Sequence, residues 1–377
     1  MLKRFHEFRR DERGMSFAFV GLGLIAFMAA STLAIDVGMF MTARTQAQAS
    51  ADAAALAGAT ALVYNDWNNR TASGPAVQSA LSTAQKNNVM LGAVSVQPSD
   101  VTFPLDPYGQ ANEVRVNVFR TAGRSNPVST LIGPLFGIST VDIAATATAQ
   151  AAPAEGMTCV KPFIIPDKWQ EHNVPPNTTF DRYDNHGNVI ANPDEYIPSL
   201  GYAAVNRGTL LVLRAHQGNN ISPSMYYSWK MPGDIGGNFY EENIATCNTS
   251  VIERGYVANQ EPGSMEGPTL QGLQRLIDQD PGAYWDPSAN GGLGDYVSTK
   301  RPSPRVFPIP LYNPDEYQKG IQTGRNATLI VSNWLGFFLE DITGGQATGR
   351  IFPITGVSAI SGPTTSTPLA YVIRLVK

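Results

Sequence analysis

Met15 to Ile35 is one uninterrupted apolar run of 21 residues without a charge. As a helix it spans about 32 Å, close to the hydrocarbon thickness of a bilayer. Beyond it the composition changes but the helical pattern does not break. Residues 36–63 contain no proline and are dominated by alanine, the best helix former. Ala43, Ala47, Ala51, Ala54, Gly58 and Ala61 recur at steps of three and four, so they share one face. The pattern predicts a single helix from about Met15 to Val63, roughly 70 Å long. Small residues at this spacing let another backbone approach closely. Two partners for that face stay open, and they are compatible with one another: the chain's own globular part, and a partner helix in an assembly.

After a turn-rich linker, Asn65 to Gly74, a helix is expected over Ala76–Met90. Strand-like runs follow at Ala93–Gln97, Val101–Phe103 and Glu113–Arg120, the last alternating cleanly between apolar and polar. A short helix over Pro127–Phe136 and a strand over Ser139–Ala149 complete a small α+β domain, residues 64–152. Ala151-Ala152-Pro153-Ala154-Glu155-Gly156 reads as a boundary. Residues 157–377 read as a β-rich domain with long irregular loops. Its strand candidates are Leu210–Arg214, Thr328–Val331, Gly336–Leu339, Arg350–Ile354 and Ala370–Leu375, with one helix over Thr269–Asp278. The expected fold class is therefore α+β: a long N-terminal helix, a small α+β domain, then a β-rich domain.

Charge orients the apolar run. Lys3, Arg4, Arg9, Arg10 and Arg13 precede it, whereas Arg44 is the nearest cation after it. This asymmetry predicts a cytoplasmic tail over residues 1–14, a transmembrane helix over 15–35, and an exported body. Three other readings compete: a buried core helix, a signal peptide cleaved near Ala29-Ala30-Ser31 or Thr32-Leu33-Ala34, and processing after Gly14. The helix that runs on past both small-residue sites argues against the second. Phe19, where prepilin-type substrates usually carry glutamate, argues against the third. The net charge of −4 gives no general attraction for nucleic acid. The two cysteines, Cys159 and Cys247, form no CxxC or Cys/His cluster. In an exported body they are expected to form a disulfide; two free buried thiols are the alternative.

Candidate chemistry is sparse, and no cofactor or metal is expected. His6, His172, His186 and His216 lie in no HExxH, and no Gly-x-Ser-x-Gly elbow accompanies them. Asp181–Asn188 gathers oxygen ligands beside Gly187, but its spacing suits a hairpin turn better than a calcium loop. Glu261, Glu266, Asp278, Asp280 and Asp286 flank the Thr269–Asp278 helix. Paired across a cleft, such carboxylates do glycosidic acid–base work; at turns they are structural. Tyr226, Tyr227, Trp229, Tyr284, Trp285 and Trp334 would either line a carbohydrate platform or pack a core.

The stretch RRDERGMSFAFVGLGLIAFMAASTLAIDVGMFMTARTQAQASADAAALAGATAL resembles the N-terminus of TadE/TadG-like proteins of the tight-adherence (Flp) pilus system. The shared features are an Arg-rich tail ending in glycine, an apolar segment, Asp36-Val37-Gly38 near its outer end, and the alanine-rich run at Ala51–Ala59. The resemblance implies a bacterial inner-membrane protein with a periplasmic body, whose partners are membrane lipid and pilus or envelope proteins met through the N-terminal helix. Self-association is left open. The Asp-x-Ser-x-Ser metal motif of many TadG-type relatives is absent; Asp286-Pro287-Ser288-Ala289-Asn290 comes nearest. Two alternatives stand beside the pilus reading: an anchored hydrolase of cell-wall material, and an adhesin.

Overall fold

The computed structural model describes residues 13–198, 201–216, 218, 220–322, 328–360 and 369–376. Helix α1, Arg13–Tyr64, is continuous over 52 residues, as its proline-free, alanine-rich sequence expects. Helix α2, Pro75–Lys86, opens with proline at its first turn and packs antiparallel along the outer half of α1. It is shorter than the expected Ala76–Met90. Asn88–Val89 pairs instead with Gly92–Ala93 around a tight turn, where Met90 and Leu91 take positive φ of 48° and 66°.

The first sheet is ordered Ile354–Thr355, β10 (Ala370–Leu375), β3 (Ile143–Met157), β2 (Glu113–Arg120) and β1 (Val101–Thr102). Val114, Val116 and Val118 of β2 and Ala145, Ala147, Ala149 and Ala151 of β3 are buried at alternate positions. This face packs on α1 and α2 in a core of small side chains. Gln48 donates to the carbonyl of Thr146, and Val63 shares a cluster with Ala151. Thus β3 runs alongside α1 in the same direction, away from the apolar end.

The second sheet closes. Strands β4 (Phe163–Pro166), β5 (Leu210–Ala215), β6 (Met225–Ser228), β7 (Val306–Tyr312), β8 (Leu329–Thr343) and β9 (Gln346–Ile351) pair in the order β8-β7-β4-β6-β5-β9, and β9 returns to β8. The result is a six-stranded barrel filled by Phe163, Ile165, Leu213, Phe307, Ile309, Leu335 and Phe337. Tyr240 and Ile244 of α3 (Gly237–Ala245) and Leu273 and Leu276 of α4 (Glu266–Gln279) join the same cluster.

The α+β expectation, with its long N-terminal helix and β-rich C-terminal region, agrees with this architecture. Two local expectations need correction. Ala151–Gly156, expected as a boundary, lies in the second half of the 15-residue strand β3 and is mostly buried. Its small residues sit where the chain is crowded rather than where it turns: Ala151–Pro153 pair with β10, a Cβ on Gly156 would meet Ser358 and Val251, and one on Gly356 would sit 2.7 Å from the Cβ of Ala154. The Pro127–Phe136 helix is instead a short hairpin, Val128–Ser129 with Thr140–Val141, whose tip holds a single turn of 3₁₀ helix at Gly133–Phe136.

Candidate functional site

The candidate site is α1 itself, with the groups that grip it. Along its first half Phe17, Val20, Leu24, Phe27 and Leu33 are exposed, and the helix is long and apolar enough to cross a membrane. Ten large apolar side chains from Phe17 to Ile35 stand uncovered. In water they would forgo roughly 20 kcal/mol of burial, a cost that a non-aqueous neighbour would remove.

Asp36 marks the outer end of this run and is 6% exposed. Its carboxylate accepts hydrogen bonds from the backbone N–H groups of Leu131 (2.9 Å), Ile132 (3.2 Å) and Gly133 (2.8 Å). The hairpin tip is thereby fastened to the helix. Charge-assisted bonds of this kind are the strong class.

The small-residue face has an intramolecular partner. Ala43, Ala47, Ala51, Ala54, Gly58 and Ala61 are all buried, against α2 and the first sheet. A Cβ on Gly58 would sit 2.9 Å from Val114 Cγ1 and 3.4 Å from Ala80 Cβ. Of the two partners that the spacing allowed, the chain's own globular part covers the face. The stripe is therefore not free to dock on a partner helix. The solvent-facing positions of the outer half include Met41, Thr42, Arg44, Thr45, Gln46, Ala49 and Thr60.

The far end of α1 is gripped from the barrel side. No basic residue lies in the helix's last turn. Arg207 supplies the missing cation: its Nη1 donates to the carbonyls of Tyr64 (2.5 Å) and Asn65 (3.1 Å), and its Nη2 to that of Gly294 (2.7 Å). Burial pulls its guanidinium below the ordinary arginine range. Trp67 stacks on Tyr371 of β10, with ring centroids 4.9 Å apart. Nothing in the local sequence near Tyr64 announces Arg207, 143 residues away.

Cys159 and Cys247 are bonded to each other. The bond ties the exit of β3 to the segment after α3, where Lys161 is buried. The Lys161 ammonium donates to the carbonyls of Ile244 (2.5 Å) and Thr246 (2.8 Å), and burial pulls its pKa down to about 7. In the barrel wall Asp167 is fully buried, and burial pushes its carboxyl up even though Tyr196 Oη, Lys168 N and Asn333 Nδ2 donate to it.

The loop carboxylates do not converge. Asp280 is buried and accepts from Ser298 and Ser303. Glu261 is buried beside Gly236. Asp278 accepts from Gln274 along α4, Asp286 caps a turn at Ser288, and Glu266 begins α4. A cleft of about 590 Å³ between the end of α1 and the barrel wall is lined by Tyr64, Asp295, Tyr296, Arg301 and Phe307. Asp295 there pairs with Arg301 at 3.7 Å. The aromatic residues are divided too: Tyr226, Tyr227, Trp229 and Trp334 are buried, Trp285 is half-buried and Tyr284 is exposed.

His216 stacks on Tyr227 at 4.3 Å, and burial lowers its pKa; His172 and His186 lie in loops. Asp184 closes the 181–188 segment as a hairpin turn by accepting from His186 N and Asn188 N. Among the described residues no group of three His, Cys, Asp or Glu side chains is arranged to hold a metal. Of the residues expected to set topology, Lys3, Arg4, Arg9 and Arg10 lie outside the described residues, as does His6, and Arg13 is the first residue of α1.

Residues 14–61 match a family model described as putative Flp pilus-assembly TadE/G-like. The match covers the apolar run, Asp36 and most of the buried small-residue face, and it supports a role in pilus assembly. No curated protein and no solved structure matches the chain.

Proposed function

We propose that this chain is a membrane-anchored structural component of a Tad-type pilus assembly apparatus. In this reading its N-terminus is cytoplasmic and its body lies in the periplasm of a bacterium. The carrying observation is the uncovered apolar half of α1, which continues without a break into a half built into the folded body. The basic tail would orient the helix by the charge asymmetry across it. The Cys159–Cys247 bond suits an oxidising compartment. The role is mechanical rather than catalytic; in support, the loop carboxylates serve turns, caps and buried hydroxyls.

Because the small-residue face is spent internally, partner contact is assigned to the opposite face of α1, around Thr45 and Ala49. Photo-crosslinking residues placed at these two positions, in the full chain in its native membrane, should capture other pilus-assembly proteins. The same residue at Asp278, on the exposed face of α4, should not. A reporter active only in the periplasm, joined to the C-terminus, should be active. An inactive periplasmic reporter paired with an active cytoplasmic one would reverse the topology and end the proposal. Unimpaired piliation in a strain lacking the chain would end the assembly role.

A further inference from the structure

The hairpin fastened to Asp36 lies at the end of the body where the apolar half of α1 begins. Because β3 runs alongside α1 away from that end, the hairpin preceding β3 is the part of the body nearest the apolar run. Residues 131–138, LIGPLFGI, carry no charge. Leu131 is 64% exposed and Ile138 is 55% exposed; the Leu131 N–H is bonded to Asp36, whose neighbours along α1, Ile35 and Val37, are exposed as well. Exposed apolar residues of the helix thus reach the level at which the hairpin tip is fastened.

The backbone of this tip is also prepared for a poorly hydrated setting. Leu131, Ile132 and Gly133 donate to Asp36, Gly137 donates to Pro134 O, and Ile138 donates to Gly133 O. Pro134 has no N–H to satisfy. Thr130 Oγ1 adds a bond to Ile138 O at 2.6 Å. The tip is tight enough that a Cβ on Gly133 would collide with Ile138 O and Thr130. Unpaired backbone is costly where water is scarce, so pairing the N–H groups of Leu131, Ile132, Gly133, Gly137 and Ile138 lowers the cost of seating the tip at a membrane edge. The Asp36 carboxylate, costly beside hydrocarbon if bare, is covered by the same bonds.

We propose that residues 131–138 form a second membrane contact, seated in the headgroup layer next to α1, so that the body meets the bilayer at two points. The proposal rests on the reading of α1 as a membrane anchor.

Both native cysteines are in the disulfide, so a cysteine introduced into the full chain is its one free thiol. An environment-sensitive fluorophore would be placed at Leu131→Cys, Ile138→Cys, Leu33→Cys and Asp278→Cys. Each protein would be inserted into phosphatidylethanolamine/phosphatidylglycerol vesicles. Shallow lipid-borne quenchers should quench the labels at 131 and 138, with blue-shifted emission, while deep quenchers act on the label at 33 and neither acts at 278. Labels at 131 and 138 that behave like the one at 278, with 33 still quenched, would overturn this proposal and leave the anchor intact. No quenching at 33 would overturn the anchor and this proposal together. Slow amide exchange at Leu131–Gly133 in each labelled protein checks that the tip keeps its bonds to Asp36.

Discussion

Lys161 sits where an ammonium is expensive: its Nζ is surrounded by the barrel and α3, with two carbonyls and the Phe307 ring for company. Its pKa, near 7 when folded, rises to about 10.4 when the chain unfolds. Below pH 7 both states hold the proton, and the folded state bears the full cost of the buried charge. Between these values the unfolded state binds the proton and the folded state does not, so stability rises with pH. The slope is at most about 1.4 kcal/mol per pH unit. Chemical denaturation of the native chain and of Lys161→Met, compared between pH 7 and 10, should show the native chain gaining on the variant as pH rises. A constant difference would mean that the lysine stays charged. Arg207 is the second residue with a large expected effect. Arg207→Ala strips the carbonyls of Tyr64, Asn65 and Gly294 of a charged donor. A loss of about 2–3 kcal/mol is expected, with faster amide exchange at residues 61–65 than at 47–51. Neither residue was legible beforehand, because a lone Lys or Arg in a loop looks solvated until its distant carbonyl partners are known.

At the scale of elements, α1 was the most legible part of the chain. Its length follows from the missing prolines and its buried face from the step of three and four; only the identity of the partner was open. That partner, α2 with the first sheet, fixes what substitutions do. Ala51→Leu adds three carbons at a fully buried position, and overpacking should cost about 1–3 kcal/mol. Ala49→Leu, on the exposed face, should leave stability within about 0.5 kcal/mol. Thermal melts in detergent of the two variants check this contrast, and equal melting temperatures would refute the assignment of faces. Strands were read less well. Thr328–Val331 and Gly336–Leu339 are halves of one strand, β8, since the Trp334-Leu335 step between them is also fully buried. β7 escaped notice because Pro308 and Pro310 argue against a central strand. The structure places the backbone of Pro308 on the side away from β8, where its carbonyl accepts from Lys161 N, so no ladder donor is lost. β4 and β6 are four residues each and buried on both faces, which leaves no alternation to detect.

At the scale of the whole molecule, the disulfide and β3 lock the two sheets together. The bond closes a separation of 88 residues, so its removal should cost about 4–5 kcal/mol in the chain-entropy view. A Cys159→Ser/Cys247→Ser chain compared with the oxidised protein by urea titration tests this; equal midpoints would show that the barrel holds without it. The segment Ala151–Gly156 is a strand rather than a linker; small residues signal a linker and a crowded strand alike. The true connection is physical continuity: the first half of β3 lies on α1, and its later residues pair with β10 and carry Trp334 Nε1 on the carbonyl of Glu155.

That shared strand sets an order of events. Positions 149–153 of β3 take their neighbour from residues 371–375, so the sheet against the long helix stays ragged until residue 375 has been made. A fragment ending at residue 152 would leave that row of amides and carbonyls bare and prone to join another chain. A cell producing this protein must therefore keep its early half from committing while more than two hundred further residues arrive.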